Sequence, residues 1–499
     1  MRIDIKNQEQ KRKYLSVIRQ EIETEPLHAV KYLDFGVKII RVLCHTPDVL
    51  LFLNQQTSFV LRDNSDHFDE TIAVGKIKNI HSIIHKTDDK LNPKINLRLR
   101  VVALLTGEKY FDAEFFDDSF SKTLPLIKCD ISSGVVEAYD TENHSCYYAV
   151  TDFQPEEFIK LGHVFVQQLN ILLKTDTVNL THGAVFGYSG KGVLLCARGQ
   201  RGKSTLTVHS LLNGCEYVSD DYQLLEKKPN GLYAYPIYSV ITLSPKMYCQ
   251  MYDDFNGKFC SNNGRKDKYV FNISSYHDRF KTRYPVKACL FPEIVDDKFP
   301  SIVCCSVADK GRAIVQLIHS TVLQMRDLHN HDTIRKLFYM VKDLPFYKFN
   351  LCPDIAKNTE YSRKFLTGRL PPVSGQKNLG RMLLDITFNL ANILDTQTFT
   401  FYWMNKFTTN IYEMLLAGIS SDIVAKELDK FTSVNPNIME EFKEFETILN
   451  KQNFLQVSVS KDAIRKDLNI ETARTCNYVL SLLEYASDGT IQLIRKKGE

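Results

Sequence analysis

The chain has 499 residues, 44% of them hydrophobic, and a formal net charge of +4. That length predicts two to four domains with full-sized cores, and so small a charge excludes a global polyanion-binding surface. Twelve cysteines occur without a C-x-x-C or a Cys/His ligand spacing, which argues against a disulfide frame or a zinc site and for reduced thiols in a cytoplasmic protein. The first residues lack an apolar signal core and no run of 18 apolar residues occurs. The expected protein is soluble and intracellular, without membrane association.

Residues 1–150 mix short β-like segments with polar turns, an α+β accessory region. Val49 to Leu53, Ser58 to Leu61, Ile95 to Leu105 and Tyr147 to Val150 are the expected strands, with Asn64-Ser65-Asp66 among the turn signals. His81, His85, Asp88 and Asp89 read as a polar helix face rather than a metal cluster. Phe158 to Leu173 carries apolar residues at helical spacing, which makes His163 a packed or surface helix residue.

His182-Gly183 opens the alternating run Ala184 to Tyr188, and Ser189-Gly190-Lys191-Gly192 signals a hairpin into the strand-like Val193 to Cys196. Then comes A-R-G-Q-R-G-K-S, residues 197 to 204. A polyphosphate must be wrapped by backbone N–H donors, which requires a loop of small bulk between a strand and a helix. Gly199 and Gly202 supply that freedom, although Ala197 stands where the usual first glycine would be. Lys203 is expected to reach the β- and γ-phosphates, Ser204 to ligate Mg²⁺, and the helix to add its positive end. Ala197, Arg198, Gly199, Gln200, Arg201, Gly202, Lys203, Ser204 and Thr205 form the expected nucleotide cradle, with the Arg201 side chain facing solvent. After a helix at Leu206 to Leu212, a turn at Gly214 and a strand at Glu216 to Ser219 comes Asp220-Asp221. An Asp pair after a strand is by itself a turn signal; beyond a phosphate loop it is where phosphoryl transfer wants a base and a metal ligand.

His182 precedes Lys203 by 21 positions and Lys203 precedes Asp220 by 17. In this order and spacing the H-G pair, hairpin, loop and D-D pair resemble HPr kinase/phosphorylase, the bacterial serine kinase related to phosphoenolpyruvate carboxykinase. The resemblance covers roughly residues 155 to 370. It implies an ATP-dependent transfer to a hydroxyl, with Asp220 as general base, Asp221 holding Mg²⁺ with Ser204, and His182 beside the transferred phosphate, with Lys203 as a phosphate clamp. The family's further Glu and Arg have no secure place; Arg265-Lys266-Asp267-Lys268 is one candidate basic clamp, and a solvated loop is the other reading of it.

Downstream, Tyr235 to Leu243, Tyr284 to Phe291, Ile302 to Val307 and Pro345 to Leu351 read as strands, and Arg312 to Met325 and Thr333 to Lys342 as helices. Asp253 to Asp267 has the composition of a mobile lid or of an ordinary insertion. Leu370-Pro371-Pro372 marks a boundary that closes a domain spanning 151–370. In 380–456 a short strand pair through Phe401 to Met404 precedes helices at Phe407 to Leu416, Ser420 to Phe431 and Ile438 to Asn453, a winged-helix-like order. It resembles PqqD, the pyrroloquinoline-quinone biosynthesis chaperone typifying the peptide-recognition module of many ribosomal-peptide-modifying enzymes. The resemblance implies that a leader peptide adds as a strand near Thr400 to Met404 and the third helix. The acidic helices, with Asp422, Glu427, Asp429, Glu440, Glu441, Glu444 and Glu446, argue against nucleic acid. Residues 457–499 read as a tail with a helix from Asn469 to Tyr485.

The sequence therefore predicts a multidomain α/β and α+β chain with a P-loop kinase core of HPr-kinase/PEP-carboxykinase type. Its expected cofactors are ATP and Mg²⁺, and its expected partner is a peptide or protein bearing the acceptor serine. Free serine or another small alcohol is the rival acceptor, and a nucleotide-switched peptide-carrying scaffold without chemistry is the rival class. The oligomeric state stays open.

Overall fold

Tyr14, Leu15, Ile18 and Ile22 recur at helical spacing, and in the computed structural model they form the buried stripe of α1 (Gln8–Glu23). Asn7 caps that helix by accepting the Gln10 N–H at 2.9 Å, which satisfies one of its free donors. The structure describes residues 2–4, 7–77, 113–116, 126–130, 134–151, 163–199, 201–245, 247, 249, 259–260, 269–273, 276–325, 330–368, 370–371, 376, 379–387, 389–457, 480–485 and 491–493. By packing, the chain divides into two units: residues 1–180, 184–190 and 204–285, and residues 181–183, 191–203 and 286–499.

The first unit begins with β1 (Arg2–Asp4), β2 (Ala29–Asp34), β3 (Ile39–Cys44), α2 (Asp48–Gln56), β4 (Leu61–Arg62) and β5 (Glu70–Lys76). After them come β6 (Ala113–Phe116), β7 (Ile127–Asp130), β8 (Val135–Asp140) and β9 (Ser145–Val150). These strands form one mixed sheet in the order β1-β6-β7-β8-β9-β5-β3-β2-β4, on which α1 packs. Next are α3 (Val166–Leu173), β10 (Val178–His182) and β11 (Ala184–Tyr188), and β12 (Lys191–Leu195) follows in the chain. Beyond β12 run α4 (Lys203–Leu212), β13 (Glu216–Ser219), β14 (Tyr222–Lys228), β15 (Gly231–Pro236), β16 (Val240–Leu243), β17 (Phe259–Cys260) and β18 (Tyr269–Asn272). Here β11 pairs β13, β14 pairs β15, and β18 joins β16 to β17, all antiparallel. Val208 and Leu211 on one face of α4 close a small core with Tyr217, Ile241, Leu243, Ile273 and Phe280.

In the second unit are β19 (Tyr284–Ile294), whose first residues lie in the other unit, then β20 (Ser301–Cys304), α5 (Val307–Gln324), α6 (His331–Val341), β21 (Phe346–Leu351) and α7 (Ile355–Thr367). The chain ends with β22 (Met382–Thr387), β23 (Leu390–Asp395), β24 (Thr400–Met404), α8 (Lys406–Leu416), α9 (Ser421–Asp429), α10 (Ile438–Lys451), β25 (Leu482–Tyr485) and β26 (Ile491–Leu493). β12, β19 and β21 run parallel, and β20 is antiparallel to β21. The five strands from β22 to β26 make an antiparallel sheet in chain order. Its core joins Ile393, Met404 and Leu482 to Phe407, Ile411, Tyr412, Val424, Leu428, Phe442 and Leu449 of the three helices. α5 packs against both β21 and β22.

Several expectations need correction. Val49 to Leu53 is not a strand but the middle of α2: Val49, Phe52 and Leu53 are buried while Leu51 is 58% exposed, and so short an apolar run does not display its period. Of Ser58 to Leu61 only the last residue is in a strand, and Tyr235 to Leu243 is two strands separated at Ile237–Ser239. Val307 begins α5, because Ser306 caps that helix by accepting the Asp309 N–H at 3.0 Å. The helix expected to end at Tyr485 is wrong there: Leu482–Tyr485 is β25, hydrogen-bonded to β24 through Tyr402↔Glu484, Trp403↔Leu483 and Met404↔Leu482. The edge expected to receive a leader peptide thus carries the chain's own strand. The stretches Ile95 to Leu105, His81 to Asp89 and Arg265 to Lys268, most of Asp253 to Asp267, and the first turns of the helix drawn from Phe158 lie outside the described residues. Cys304 and Cys305 are free thiols. Among the described residues no helix is long and apolar enough to cross a membrane.

Leu482 is fully buried in the C-terminal core. Leu482→Ala should therefore cost about 2–5 kcal/mol in urea unfolding. A loss under about 0.5 kcal/mol, the size of an ordinary surface substitution, would mean that the tail does not complete this sheet.

Candidate functional site

The expected phosphate loop leaves the carboxyl end of β12, beside the parallel β19, and enters α4 at Lys203. Ligands of open α/β sheets bind beyond the carboxyl ends of parallel strands. Gly202 has φ +82°, a left-handed conformation, and a Cβ there would come 3.0 Å from Leu351 Cδ1 at the end of β21. Only glycine meets both demands. At Gly199 a Cβ would meet nothing within 4 Å, so the missing side chain leaves the loop backbone uncovered. Gln200 lies outside the described residues. Ser204 and Thr205 are half-buried in the first turn of α4, which has no acidic residue there to oppose an anion.

Lys203 is buried, 5% exposed, and its ammonium donates to the carbonyls of Ala197 at 2.7 Å and Arg198 at 3.0 Å. The cation is folded into the loop that it is expected to serve. Arg198 behaves differently. Its Nη2 lies 3.3 Å from Asp385 Oδ2 on β22 and 3.4 Å from His319 Nδ1 on α5, and its backbone N–H donates to Gln316 Oε1 at 3.2 Å. Burial, and then the Arg198 charge, push His319 down to about 3. At neutral pH that ring is uncharged.

His182, 6% exposed, is also held by α5. Its backbone N–H donates to Thr321 Oγ1 at 2.9 Å, and its ring Nδ1 lies 3.2 Å from the Gln324 amide nitrogen. With that amide donating, the ring carries its proton on Nε2. Near the end of β19, Glu293 meets Lys348 at 2.7 Å and Arg312 at 3.1 Å. Burial raises Glu293, but Lys348, Arg312 and Arg201 outweigh it and hold the carboxyl below its usual range. The half-exposed Arg201 thus acts on a carboxylate and not on solvent alone.

The acidic pair belongs to the first unit. Asp220, 2% exposed, follows β13, and Asp221 takes φ +67°, which places a non-glycine residue in the left-handed region. Thr242 on β16 serves both: its N–H approaches Asp220 Oδ2 at 3.4 Å and its hydroxyl donates to Asp221 Oδ2 at 2.9 Å. His163 Nε2 lies 3.6 Å from Asp221 Oδ2. Its ring stacks on Tyr238 at 4.4 Å and meets the edge of Tyr222 at 5.3 Å. His163 is thus a buried partner of a candidate site residue, and it lies ahead of α3, which begins at Val166, instead of on the helix expected from Phe158. Thr242, Gln316 and Asp385 were also missed. Only Asp385 carried a signal, an acid inside the otherwise apolar Met382–Ile386.

Hydroxyl and carboxylate oxygens are the donors that Mg²⁺ prefers, and one or two from protein suffice when phosphates supply the rest. Ser204 and Asp221 fit that donor chemistry. Among the described residues no cluster of three or more His, Cys, Asp or Glu could hold a metal by itself.

No known family profile matches the chain, and no curated protein does. Among solved structures the chain is similar to the Hpr(Ser) kinase/phosphatase from Coxiella burnetii, with 11% identity over 38% of this chain and 88% of that one, at a TM-score of 0.22.

Because His319 is held neutral in the fold, its contribution to stability against pH has a definite sign. Above pH 6.5 neither state binds the proton; between 6.5 and about 3 only the unfolded chain does, so stability falls as pH drops. Urea midpoints at pH 7 and pH 5 should show a smaller acid loss in His319→Gln than in the wild type. Equal losses would mean that the ring titrates normally.

Proposed function

We propose that the chain is an ATP- and Mg²⁺-dependent phosphotransferase that delivers a phosphoryl group to a hydroxyl, a serine of a peptide or protein. The observation that carries this reading is the strand–loop–helix of β12 and α4, with Gly202 at φ +82° and the Lys203 ammonium drawn inside the loop. An ammonium held by two carbonyls can exchange them for phosphate oxygens, and the backbone of Gly199, Arg201 and Gly202 adds donors.

In this reading Lys203 neutralises charge on the β- and γ-phosphates, Asp220 accepts the proton of the attacking hydroxyl, and His182 donates from Nε2 toward the transferred group. Asp221 and Ser204 hold the metal. A Mg²⁺ held there would supply positive charge to offset that of the phosphates. Catalysis of this kind is positioning and charge stabilisation, which fits side chains fixed by neighbours: the His182 ring by Gln324, Asp221 by Thr242. Because β25 occupies the edge at Tyr402–Met404, strand addition there is not part of the proposal.

Radiolabelled ATP with serine-containing peptides and with free serine tests the reading and separates the two acceptors. Lys203→Ala should weaken ATP binding or turnover about 100-fold or more. Asp220→Asn should lower transfer by roughly 10²–10⁴ while ATP still binds. Equal transfer by Asp220→Asn and the wild type would remove Asp220 as the base.

A further inference from the structure

Asp385 is a carboxylate with no solvent exposure in the middle of β22, outside the segment that resembles a kinase. Its Oδ1 accepts from Gln316 Nε2 at 2.9 Å, the Thr387 hydroxyl donates to it at 3.0–3.1 Å, and Arg198 supplies the opposite charge at 3.3 Å. Gln316 is thereby oriented. Its amide nitrogen faces Asp385, so its oxygen faces the loop, where it accepts the Arg198 N–H at 3.2 Å. Flipping that amide would set a donor against the loop N–H and an acceptor against the carboxylate, so the carboxylate dictates the orientation. Two routes therefore run from β22 to the phosphate loop, one through the guanidinium and one through the amide. Both converge on residue 198, next to the carbonyls that hold Lys203.

We propose that Asp385 is a positioning residue of the nucleotide loop, so that the C-terminal sheet forms part of the nucleotide site and ATP binding is coupled to the order of β22. The inference rests on the loop's binding ATP, and it goes beyond that reading by assigning a role to a residue of the C-terminal sheet. Coupling of this kind is reciprocal: whatever orders β22 tightens ATP, and ATP orders β22 by the same factor.

The test uses the full chain. ATP dissociation constants are measured by calorimetry for the wild type, Asp385→Asn, Arg198→Met and the double variant, with melting temperatures taken with and without ATP. Amide exchange is followed at residues 197–203 and 382–387. Asp385→Asn should weaken ATP roughly tenfold, within the usual span of coupling between sites, and the double variant should lose no more than the worse single, since the pair acts as a unit. ATP should slow exchange at 382–387 in the wild type and not in Asp385→Asn. A merely structural Asp385 would lower the melting temperature and leave the ATP constant unchanged; that result, or protection confined to the loop, overturns the coupling alone. A folded wild type that binds no ATP overturns the nucleotide reading and the coupling with it. If Asp385→Asn does not fold, Gln316→Met, which keeps the ion pair and cuts the amide route, must weaken ATP several-fold, and an unchanged constant overturns the proposal.

Discussion

A carboxylate without solvent inside an apolar strand has to be met by a cation and by donors, or its burial costs several kcal/mol. Asp385 is such a group, and the way its charge is met fixes the surroundings of the phosphate loop. Arg198 is drawn to β22 and Gln316 is turned to bridge it. The consequence for chemistry is subtractive. Arg198 stands within the loop motif, yet its charge is already matched inside the fold by Asp385. A loop in which one arginine is neutralised by its own fold holds less surplus charge than its sequence suggests.

α5 extends the same logic along its length. Gln316 and His319 face Arg198, while Thr321 and Gln324 hold His182. Each of these polar side chains is placed by a partner from another element, which makes α5 a frame for the loop and the histidine. His319 can serve in that frame only while neutral, because a second cation beside Arg198 in a buried setting would be repelled.

The parts that the sequence made legible are those whose signals are local. Glycines and a GK[ST] string bracket the loop, Ser189 and Gly190 adopt the positive φ angles of a two-residue turn, and Asp220 follows β13 as its strand pattern implied. Where the determining contact is distant, local reading fails. Val49 to Leu53 has strand-like composition but is helical because α2 buries Val49, Phe52 and Leu53 on one side. Leu482–Tyr485 has a helix-like approach but is claimed by β24, some eighty residues earlier. The roles of His163 and Thr242 depend on tertiary neighbours and leave no trace in spacing.

Asp221 shows how backbone strain can make a pair of acids converge. In an extended strand successive side chains point to opposite faces, so Asp220 and Asp221 would diverge. The left-handed φ of Asp221 breaks that alternation, and oxygens of both carboxylates then approach one residue, Thr242. Aspartate tolerates this conformation better than most side chains, yet it still costs on the order of 1–3 kcal/mol. Such strain persists only where neighbours over-determine it, and here the Thr242 hydroxyl and the His163 ring, itself clamped between two tyrosines, do so. Convergent carboxylates concentrate negative charge at the end of β13, where an extended strand would have spread it over two faces.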